Sequence, residues 1–309
     1  MALLIVMPDL KTETWVRRLK GCDPTLDLRV WPETGNPDDI EFTFTWNHPP
    51  GEFLNYPNLK CIASMGAGVD HILRDPDLPR GVPITRVKDP SMARSMSEYV
   101  IMAILNHCRQ SAHYARSQAA GQWRPRIPLL AAQHSVGILG LGQLGADLAG
   151  KLTVLGFPVA GWRRSAQPLA GIETFWGESQ QGAFLARSHI LVCLLPLTET
   201  TRGILNAGLF AQLPQGAFLI NVARGAHLKE TDLLAALNSG QLSGACLDVF
   251  DNEPLPVDHP FWGHEKIVVT PHISSLTHPR AVVPQICENY RRAVAGLPLN
   301  HVVDRDRGY

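Results

Sequence analysis

Apolar residues in this chain are concentrated in short runs, and most runs are followed by a loop rich in glycine, proline or polar side chains. Continuous apolar runs of this length are typical of strands in a parallel sheet that is covered on both faces. The predicted strands are Leu3–Met7, Leu26–Val30, Phe42–Trp46, Leu59–Ser64, Val136–Leu139, Phe157–Trp162, Ile190–Leu195, Phe218–Val222, Cys246–Phe250 and Lys266–Thr270. Their alternation with helical patterns predicts an α/β fold.

Helices are predicted where apolar residues recur at helical spacing. These predictions cover Thr12–Lys20, the segment that begins at Leu144, Asn206–Leu213, Lys229–Ser239 and a last run from Arg280 to about Leu297. A long helix-permissive stretch from Ser91 to about Gly121 is interpreted as one helix that crosses from a first domain to a second. It offers either a packing face to another subunit or a simple connection.

Length and charge narrow the class of protein. The 309 residues exceed the size at which a single core stops growing, so two domains are expected. Lys plus Arg equals Asp plus Glu, at 28 each, and adjacent basic residues, such as Arg163-Arg164 and Arg291-Arg292, occur only as isolated pairs. The chain is therefore expected to bind small molecules, and neither nucleic acid nor a membrane.

Cysteine usage and the amino terminus predict the compartment. The six cysteines are scattered without C-x-x-C spacing, which is typical of reduced core residues in the cytoplasm, and no metal site is predicted. The apolar run Ala2–Met7 lacks a basic flank and stops at Pro8, which favours a first strand over a signal peptide. No apolar run approaches the length of a membrane span.

A glycine turn lies between a predicted strand and a predicted helix, in the sequence Gly140-Leu141-Gly142-Gln143-Leu144-Gly145. In a dinucleotide site of this kind Gly140 permits the turn, Gly142 lets a pyrophosphate approach the backbone, and Gly145 allows close packing of helix on strand. The sequence therefore predicts a bound dinucleotide.

The end of the next strand distinguishes between the two nicotinamide dinucleotides. An NAD site would place Asp or Glu about 20 residues beyond the glycines, to accept from the ribose 2′-hydroxyl. This chain has Arg163-Arg164-Ser165 there. Two guanidinium groups and a hydroxyl suit a 2′-phosphate, so NADP is predicted.

Polar loops follow four later strands and are expected to meet at one edge of a parallel sheet. They begin at Pro196, Ala223, Asp251 and His272. Three of their side chains suit hydride transfer to a carbonyl: His272 as proton donor, Glu253 as the carboxylate that orients it, and Arg224 as a planar fork for a substrate carboxylate. Each residue taken singly also fits an ordinary surface or turn role, and the other histidines are presumed structural.

Two loops of the amino-terminal region follow predicted strands in the same way. One is Trp46-Asn47-His48-Pro49-Pro50 and the other is Met65-Gly66-Ala67-Gly68-Val69-Asp70. The glycine-rich loop exposes backbone N–H groups that could hold a carboxylate, or it is an ordinary strand-to-helix turn.

Four motifs together resemble the D-isomer specific 2-hydroxyacid dehydrogenase family. They are the glycine turn, Asn221-Val222-Ala223-Arg224-Gly225, Leu247-Asp248-Val249-Phe250-Asp251-Asn252-Glu253-Pro254-Leu255 and Thr270-Pro271-His272-Ile273-Ser274. Within the family, Trp46, the 65–70 loop, Trp162-Arg163-Arg164-Ser165 and the ending Asp304-Arg305-Asp306-Arg307-Gly308-Tyr309 are most similar to bacterial reductases of glyoxylate and hydroxypyruvate. Arg163 departs from those relatives, where serine is more usual, and adds positive charge.

The resemblance implies a fold of two Rossmann-like domains with doubly wound parallel sheets and an active site in the interdomain cleft. The substrate domain would be discontinuous, 1–99 plus 276–309, and the dinucleotide domain would be 100–275. The implied protein is a cytoplasmic homodimer that uses NADPH in preference to NADH.

The resemblance also implies the site. Arg224, Glu253 and His272 would be catalytic. The substrate would contact Trp46, Met65, Gly66, Ala67, Gly68 and Arg224, with the backbone of Ala67 and Gly68 on its carboxylate. The cofactor would contact Gly140, Gly142, Gln143, Leu144, Gly145, Trp162, Arg163, Arg164, Ser165, Leu195, Pro196, Thr201, Val222, Ala223 and Asp248, and Asp248 would hold the nicotinamide carboxamide.

Two alternatives to reduction of glyoxylate and hydroxypyruvate remain at this stage. One is a reductase of bulkier 2-keto acids such as phenylpyruvates, against which Trp46 argues if it narrows the pocket. The other is a nucleotide-sensing binding protein such as a corepressor, against which the intact Arg224, Glu253 and His272 argue. The carboxyl-terminal tail is expected either to be a loose terminus or to fold over the active site.

Overall fold

The computed structural model describes residues 1–276 and 278–305 and divides the chain into two compact units. The first unit comprises Met1–Asp89 and Thr277–Tyr309, and the second comprises Pro90–Leu276. The expected boundary after residue 99 would fall inside a helix, Pro90–Cys108. That helix packs along its length into the core of the second unit through Met96, Val100 and Ile104, so its first turns belong there too.

Five parallel strands form the sheet of the first unit in its described part, in the order β2-β1-β3-β4-β5. They are β1 (Ala2–Val6), β2 (Asp27–Val30), β3 (Ile40–Thr45), β4 (Cys61–Ser64) and β5 (Ile84–Thr85). Helices α1 (Glu13–Cys22) and α2 (Asp70–Leu73) lie between strands in the chain. The direction in which strands are added to the sheet reverses between β1 and β3. Because β3 and β4 are neighbouring parallel strands, their carboxyl ends lie side by side at one edge.

Seven parallel strands form the sheet of the second unit, in the order β12-β11-β10-β9-β6-β7-β8. The strands are β6 (Val136–Leu139), β7 (Val159–Arg163), β8 (Glu173–Trp176), β9 (Ile190–Cys193), β10 (Ala217–Asn221), β11 (Leu242–Leu247) and β12 (Ile267–Val269). The helices are α3 (Pro90–Cys108), α4 (Ser111–Ala119), α5 (Gln143–Val154), α6 (Gln181–Leu185), α7 (Ala207–Phe210) and α8 (Glu230–Ser239). The order reverses at β6, which is the strand that precedes the glycine turn.

Both faces of this larger sheet are covered. One face packs its strands against α6, α7 and α8 through side chains such as Phe184, Phe210 and Leu237. The other face packs against α3 and α5 through side chains such as Ile104 and Leu148. Alternate residues of one strand therefore enter different cores, which explains why these strands are apolar without interruption.

The chain returns to the first unit through α9 (Pro279–Val294), which packs beside α1. The Tyr290 hydroxyl donates to the carbonyl oxygen of Met1 at 2.8 Å. Farther on, Val303 donates to Ile84 of β5 at 2.8 Å, and the Arg305 guanidinium donates to the carbonyl oxygens of Pro79 and Val82. The described part of the tail is therefore anchored, while Asp306–Tyr309, including Arg307 and Tyr309, lie outside the described residues.

The structure confirms the α/β class and the two parallel sheets. The prediction of one helix from Ser91 to Gly121 is wrong, because the helix ends at Cys108 and a second begins at Ser111. Gln110 between them adopts a left-handed backbone, with φ of 57°, which no α-helix accommodates. The predictions also omitted β5, β8, α2 and α6. Single-turn 3₁₀ helices occur at Pro37–Asp39, Glu52–Asn55, Ala131–Gln133, Glu178–Gln180 and Gly225–His227.

Candidate active site

The glycine turn joins β6 to α5 at the point where the sheet order reverses. Gly140 has a φ of +106°, and a Cβ there would lie 2.8 Å from the carbonyl oxygen of Leu194. A Cβ on Gly145 would lie 2.0 Å from the carbonyl oxygen of Gly140, so only glycine lets α5 start this close to β6. The geometric reasons given above for these two glycines hold.

Gly142 precedes the first residue of α5 and, unlike Gly140 and Gly145, is not crowded by other atoms. A Cβ placed on Gly142 would meet no atom within 4 Å, so open space lies against the backbone at the amino end of the helix. Backbone N–H groups at a helix start have no partner within the helix and attract anions. The turn therefore fits the pyrophosphate of a dinucleotide.

Arg163 lies at the end of β7, the strand beside β6. Trp162 pairs with Leu139 across the two strands, and the N–H of Gly140 donates to the carbonyl oxygen of Trp162 at 2.9 Å. Arg163 is thus the neighbour of the glycine turn at the sheet edge. Its guanidinium donates to the backbone oxygen and to Oε1 of Gln167, at 3.0 and 2.9 Å. Arg164 and Ser165 are exposed, so the segment presents two cations beside the turn.

Several predicted cofactor residues have buried side chains. The Trp162 indole lies in the core and donates to the carbonyl oxygen of Gly177 at 2.8 Å. The other buried members of the predicted set are Leu195, Val222, Ala223 and Asp248. Thr201 donates to the oxygen of Pro196 at 2.7 Å and accepts from the N–H of Thr198, which closes the loop after β9 on itself.

Arg224 follows β10 on a turn that lies tightly against the loop after β11. A Cβ on Gly225 would lie only 1.8 Å from the carbonyl carbon of Phe250, so glycine is required for this approach. The Arg224 guanidinium donates to the oxygen of Ala223 at 2.7 Å. This packing places Arg224 close enough for its charge to act on Glu253.

His227 fixes the same turn and was presumed structural from the sequence. Its fully buried ring accepts the N–H of Arg224 at Nδ1, at 3.2 Å, and its Nε2 lies 3.3 Å from the oxygen of Pro196. His227 therefore links the loop after β9 to the turn that carries Arg224. No pattern in the sequence distinguishes it from the other histidines.

Glu253 and His272 form a hydrogen-bonded pair. His272 Nδ1 lies 2.7 Å from Glu253 Oε2, and Glu253 Oε1 accepts the N–H of Phe250 at 2.9 Å. Burial raises the pKa of the Glu253 carboxyl, but the hydrogen bonds from His272 and Phe250 and the charges of His272 and Arg224 outweigh it, so the pKa is lowered overall. The carboxylate is thus ionised at neutral pH and can stabilise an imidazolium, while about a third of each side chain stays exposed.

The backbone at His272 is left-handed, with φ of 54°, and Asp248 holds it there. The oxygen of Asp248 accepts the N–H of His272 at 2.8 Å, and its carboxylate accepts the N–H groups of Ile273 and Ser274 at 2.9 and 2.8 Å. Thr270 donates to the same carboxylate at 2.6 Å. The fully buried Asp248 therefore acts on the loop that carries His272, a role that its place in the motif does not reveal.

Tyr99 extends this network to α3. Its hydroxyl lies 2.5 Å from Thr270 Oγ1, and because Thr270 donates to the Asp248 carboxylate, Tyr99 is the donor to Thr270. Burial raises the pKa of Tyr99, which keeps the hydroxyl protonated for this role.

The predicted substrate loops lie together in the first unit, after the adjacent strands β3 and β4. The Trp46 ring covers Gly66 so closely that a Cβ there would lie 2.9 Å from Cζ3 of the indole. Met65 donates to the oxygen of Thr45 at 3.0 Å, which continues the pairing of the two strands into the loop. Ala67 and Gly68 are half-buried at its tip.

Comparison with known proteins decides the family. The model of the D-isomer specific 2-hydroxyacid dehydrogenase, NAD binding domain, matches residues 101–274. The chain belongs to the D-isomer specific 2-hydroxyacid dehydrogenase family. This confirms the resemblance on which the predicted site rests, and it makes the chain an oxidoreductase.

Relatives within the family match the whole chain. A glyoxylate/hydroxypyruvate reductase A from Klebsiella pneumoniae (strain 342) is 41% identical over 303 residues, which cover 96% of each chain. A family structure from Xanthobacter autotrophicus Py2 in complex with NADPH and MES is 42% identical, with a TM-score of 0.92 and coverage of 100% and 99%. An NADPH-dependent glyoxylate/hydroxypyruvate reductase from Sinorhizobium meliloti, in complex with NADP and sulfate, is 38% identical, with the same TM-score and coverage.

Within residues 1–276 and 278–305, no cluster of three or more His, Cys, Asp and Glu side chains is arranged to hold a metal ion. In the same part of the chain, no helix combines the length and the apolar character that crossing a membrane requires.

Proposed function

We propose that this dehydrogenase reduces small 2-keto acids with NADPH, glyoxylate to glycolate and hydroxypyruvate to D-glycerate. The observation that carries the proposal is the Glu253–His272 pair beside Arg224, on the same sheet edge as the glycine turn. The names of the relatives from Klebsiella pneumoniae and Sinorhizobium meliloti support the choice of substrates.

The proposed chemistry divides among three side chains. Bound NADPH supplies the hydride that reduces the carbonyl carbon. His272 donates a proton from Nε2 to the carbonyl oxygen, since its Nδ1 is held by Glu253. The Glu253 carboxylate stabilises the protonated ring before transfer and keeps it oriented. Arg224 binds the substrate carboxylate and polarises the carbonyl, which stabilises the negative charge that develops on the carbonyl oxygen as the hydride adds to carbon.

Each unit has its own proposed role. The second unit binds the dinucleotide, with the pyrophosphate at the amino end of α5 beside Gly142 and the 2′-phosphate at Arg163, Arg164 and Ser165. The NADPH and NADP complexes of the two solved relatives support this choice of cofactor. The first unit holds the substrate through Trp46 and the 65–68 loop, where the N–H groups of Ala67 and Gly68 bind its carboxylate.

A panel of 2-keto acids tests the proposal. Initial rates of NADPH oxidation are measured with glyoxylate, hydroxypyruvate, pyruvate and phenylpyruvate, and repeated with NADH. We expect the highest kcat/KM for glyoxylate or hydroxypyruvate and a clear preference for NADPH. A higher kcat/KM for phenylpyruvate would replace the substrate proposal with the bulkier class. Cofactor binding without turnover of any acid would instead favour a nucleotide-sensing protein.

We also propose that the enzyme is a cytoplasmic homodimer. Six large apolar side chains between residues 102 and 130 are more than a third exposed in the single chain: Met102, Leu105, Tyr114, Trp123, Ile127 and Leu130. Trp123 is 96% exposed and Ile127 is 89% exposed, which is unusual unless a second copy covers them. Six free cysteines, five of them buried, fit a reducing compartment. Light scattering after gel filtration should give twice the mass of the chain, and Trp123→Arg with Ile127→Glu should halve it.

A further inference from the structure

His71 lies beneath both loops that the proposed function assigns to the substrate. It is the second residue of α2 and only 4% exposed. Its Nδ1 accepts the N–H of Asn47, in the loop after β3, at 3.3 Å. Its Nε2 lies 3.1 Å from Oγ of Ser64, the last residue of β4. One ring therefore connects the end of β3 to the end of β4.

The hydrogen-bond donors and acceptors of this cluster are fixed by the backbone. The N–H of Asn47 can only donate, so Nδ1 carries no proton and Nε2 donates to Ser64 Oγ. Ser64 Oγ also accepts the N–H of Gly66 at 3.1 Å and donates to the oxygen of Gly68 at 2.9 Å. The Ser64 hydroxyl thus uses both acceptor positions, for His71 and Gly66, and its one proton, for Gly68.

His71 also contacts Trp46 directly. The two ring centroids are 4.3 Å apart, and the rings are tilted by 43°. The indole also lies against Gly66, whose lack of a side chain leaves room for it. The indole therefore contacts both a ring of α2 and the loop after β4.

We propose that His71 is a positioning residue for substrate binding, acting through Ser64 on the 65–68 loop and directly on Trp46. This inference rests on the proposed function, since that function makes the loop N–H groups the site of the substrate carboxylate. His71 touches no reacting atom in this account. It holds the carboxylate-binding N–H groups and the indole in one arrangement before substrate arrives.

The test replaces His71 by Phe, which keeps an aromatic ring against Trp46 but removes the hydrogen bonds to Asn47 and Ser64. The loop binds substrate and transition state alike, so its loss should raise KM for glyoxylate with little change in kcat. We expect a rise of about tenfold in KM, which corresponds to about one hydrogen bond. KM for NADPH should stay at the wild-type value, because the dinucleotide is assigned to the second unit.

Two further variants separate positioning from general damage. Ser64→Ala removes the same link by a smaller change, and the double variant should be no worse than the worse single one, because both changes break one chain of contacts. Tyr290→Phe is the matched control, since it removes one hydrogen bond of the first unit, to the oxygen of Met1, outside these loops. The control should keep both KM values. Thermal unfolding is measured for wild type and for all four variants.

The outcomes distinguish this inference from the proposed function. A lower melting temperature with a wild-type KM for glyoxylate in both His71→Phe and Ser64→Ala would overturn the positioning role, as would an equal rise in KM for NADPH. Should wild type reduce no 2-keto acid, the proposed function fails, and the inference is then tested by calorimetric binding of oxamate to the NADPH-loaded protein. Weaker oxamate binding by His71→Phe than by Tyr290→Phe would support the positioning role, and equal binding would overturn it.

Discussion

Replacing Glu253 by Gln tests the partnership with His272 most closely. The change keeps the size of the side chain and a carbonyl oxygen that can accept from Nδ1, but removes the negative charge. In the proposed reaction His272 must be protonated, so kcat/KM for reduction falls as pH rises through the titration of the pair. Removing the charge disfavours the imidazolium, and the midpoint of this fall should move to lower pH.

The size of the effect on the rate follows from the geometry. Two unit charges 2.7 Å apart, the distance between Nδ1 and Oε2, attract by about 1.5 kcal/mol in water and about 6 kcal/mol at an effective dielectric constant of about 20. The side chains are 34% and 35% exposed, so solvent screening is strong and a value near the lower limit, about 2 kcal/mol, applies. At about 1.4 kcal/mol per factor of ten in rate, losing this attraction lowers kcat/KM by about 30-fold.

The assay is kcat/KM for glyoxylate, measured from pH 5 to pH 10 by NADPH oxidation. Glu253→Gln should move the midpoint to lower pH and reduce the rate above it by about 10- to 100-fold. The chain offers a matched control in Glu230, whose Oε2 lies 3.2 Å from Nε2 of His259 in the same unit. Glu230→Gln should leave the profile unchanged. An unshifted midpoint in Glu253→Gln would refute the role given to the carboxylate.

Three further predictions concern the cofactor site and stability. The double variant Arg163→Asp, Arg164→Ala should raise KM for NADPH at least tenfold more than KM for NADH. The control variant Arg291→Asp, Arg292→Ala on α9 should change neither KM value. Equal effects on both cofactors would show that Arg163 and Arg164 do not bind the 2′-phosphate. Gly145→Ala should lower the melting temperature, because its Cβ would overlap the oxygen of Gly140. Gly142→Ala should keep the melting temperature and raise KM for NADPH, because its Cβ enters the open space beside α5. The reverse pattern would show that the turn does not bind the pyrophosphate in this way. Burial, with a smaller effect of His134, lowers the pKa of His107 to about 4. Between about pH 6.5 and 4 the unfolded chain therefore binds more protons than the folded chain does. The free energy of unfolding falls as the pH falls through that range. His107→Phe keeps a ring stacked on Phe218. The free energy of unfolding in urea should therefore fall by about 3 kcal/mol less between pH 7 and pH 4 in this variant than in wild type. An identical fall in both proteins would show that His107 is not held neutral by burial.

The sequence predicts the strands of the sheets where both faces are buried, because a strand such as β9 must then be apolar throughout. It does not predict β8, an edge strand whose residues Glu173–Trp176 are half-buried or exposed and carry no such pattern. The break between α3 and α4 was also missed, because Gln110 adopts its left-handed backbone without the glycine or proline that usually marks one.

The candidate site divides in the same way. Arg224, Glu253 and His272 could be predicted because each follows a strand of one parallel sheet, and the order of strands then brings their loops together. His227, Thr270 and His71 could not, because their roles depend on which backbone group each buried side chain meets. The family resemblance includes Asp248 in the site. Only the three donors to its carboxylate show that it holds the loop that carries His272.

In the proposed reaction His272 delivers the proton while the second unit holds NADPH, and His272→Ala separates these two roles. NADPH affinity, measured by fluorescence titration, and turnover of glyoxylate under saturating NADPH are compared between wild type and His272→Ala. We predict an affinity within twofold of wild type and turnover reduced by about 10³-fold or more. Turnover within tenfold of wild type, with NADPH bound normally, would show that His272 is not the proton donor.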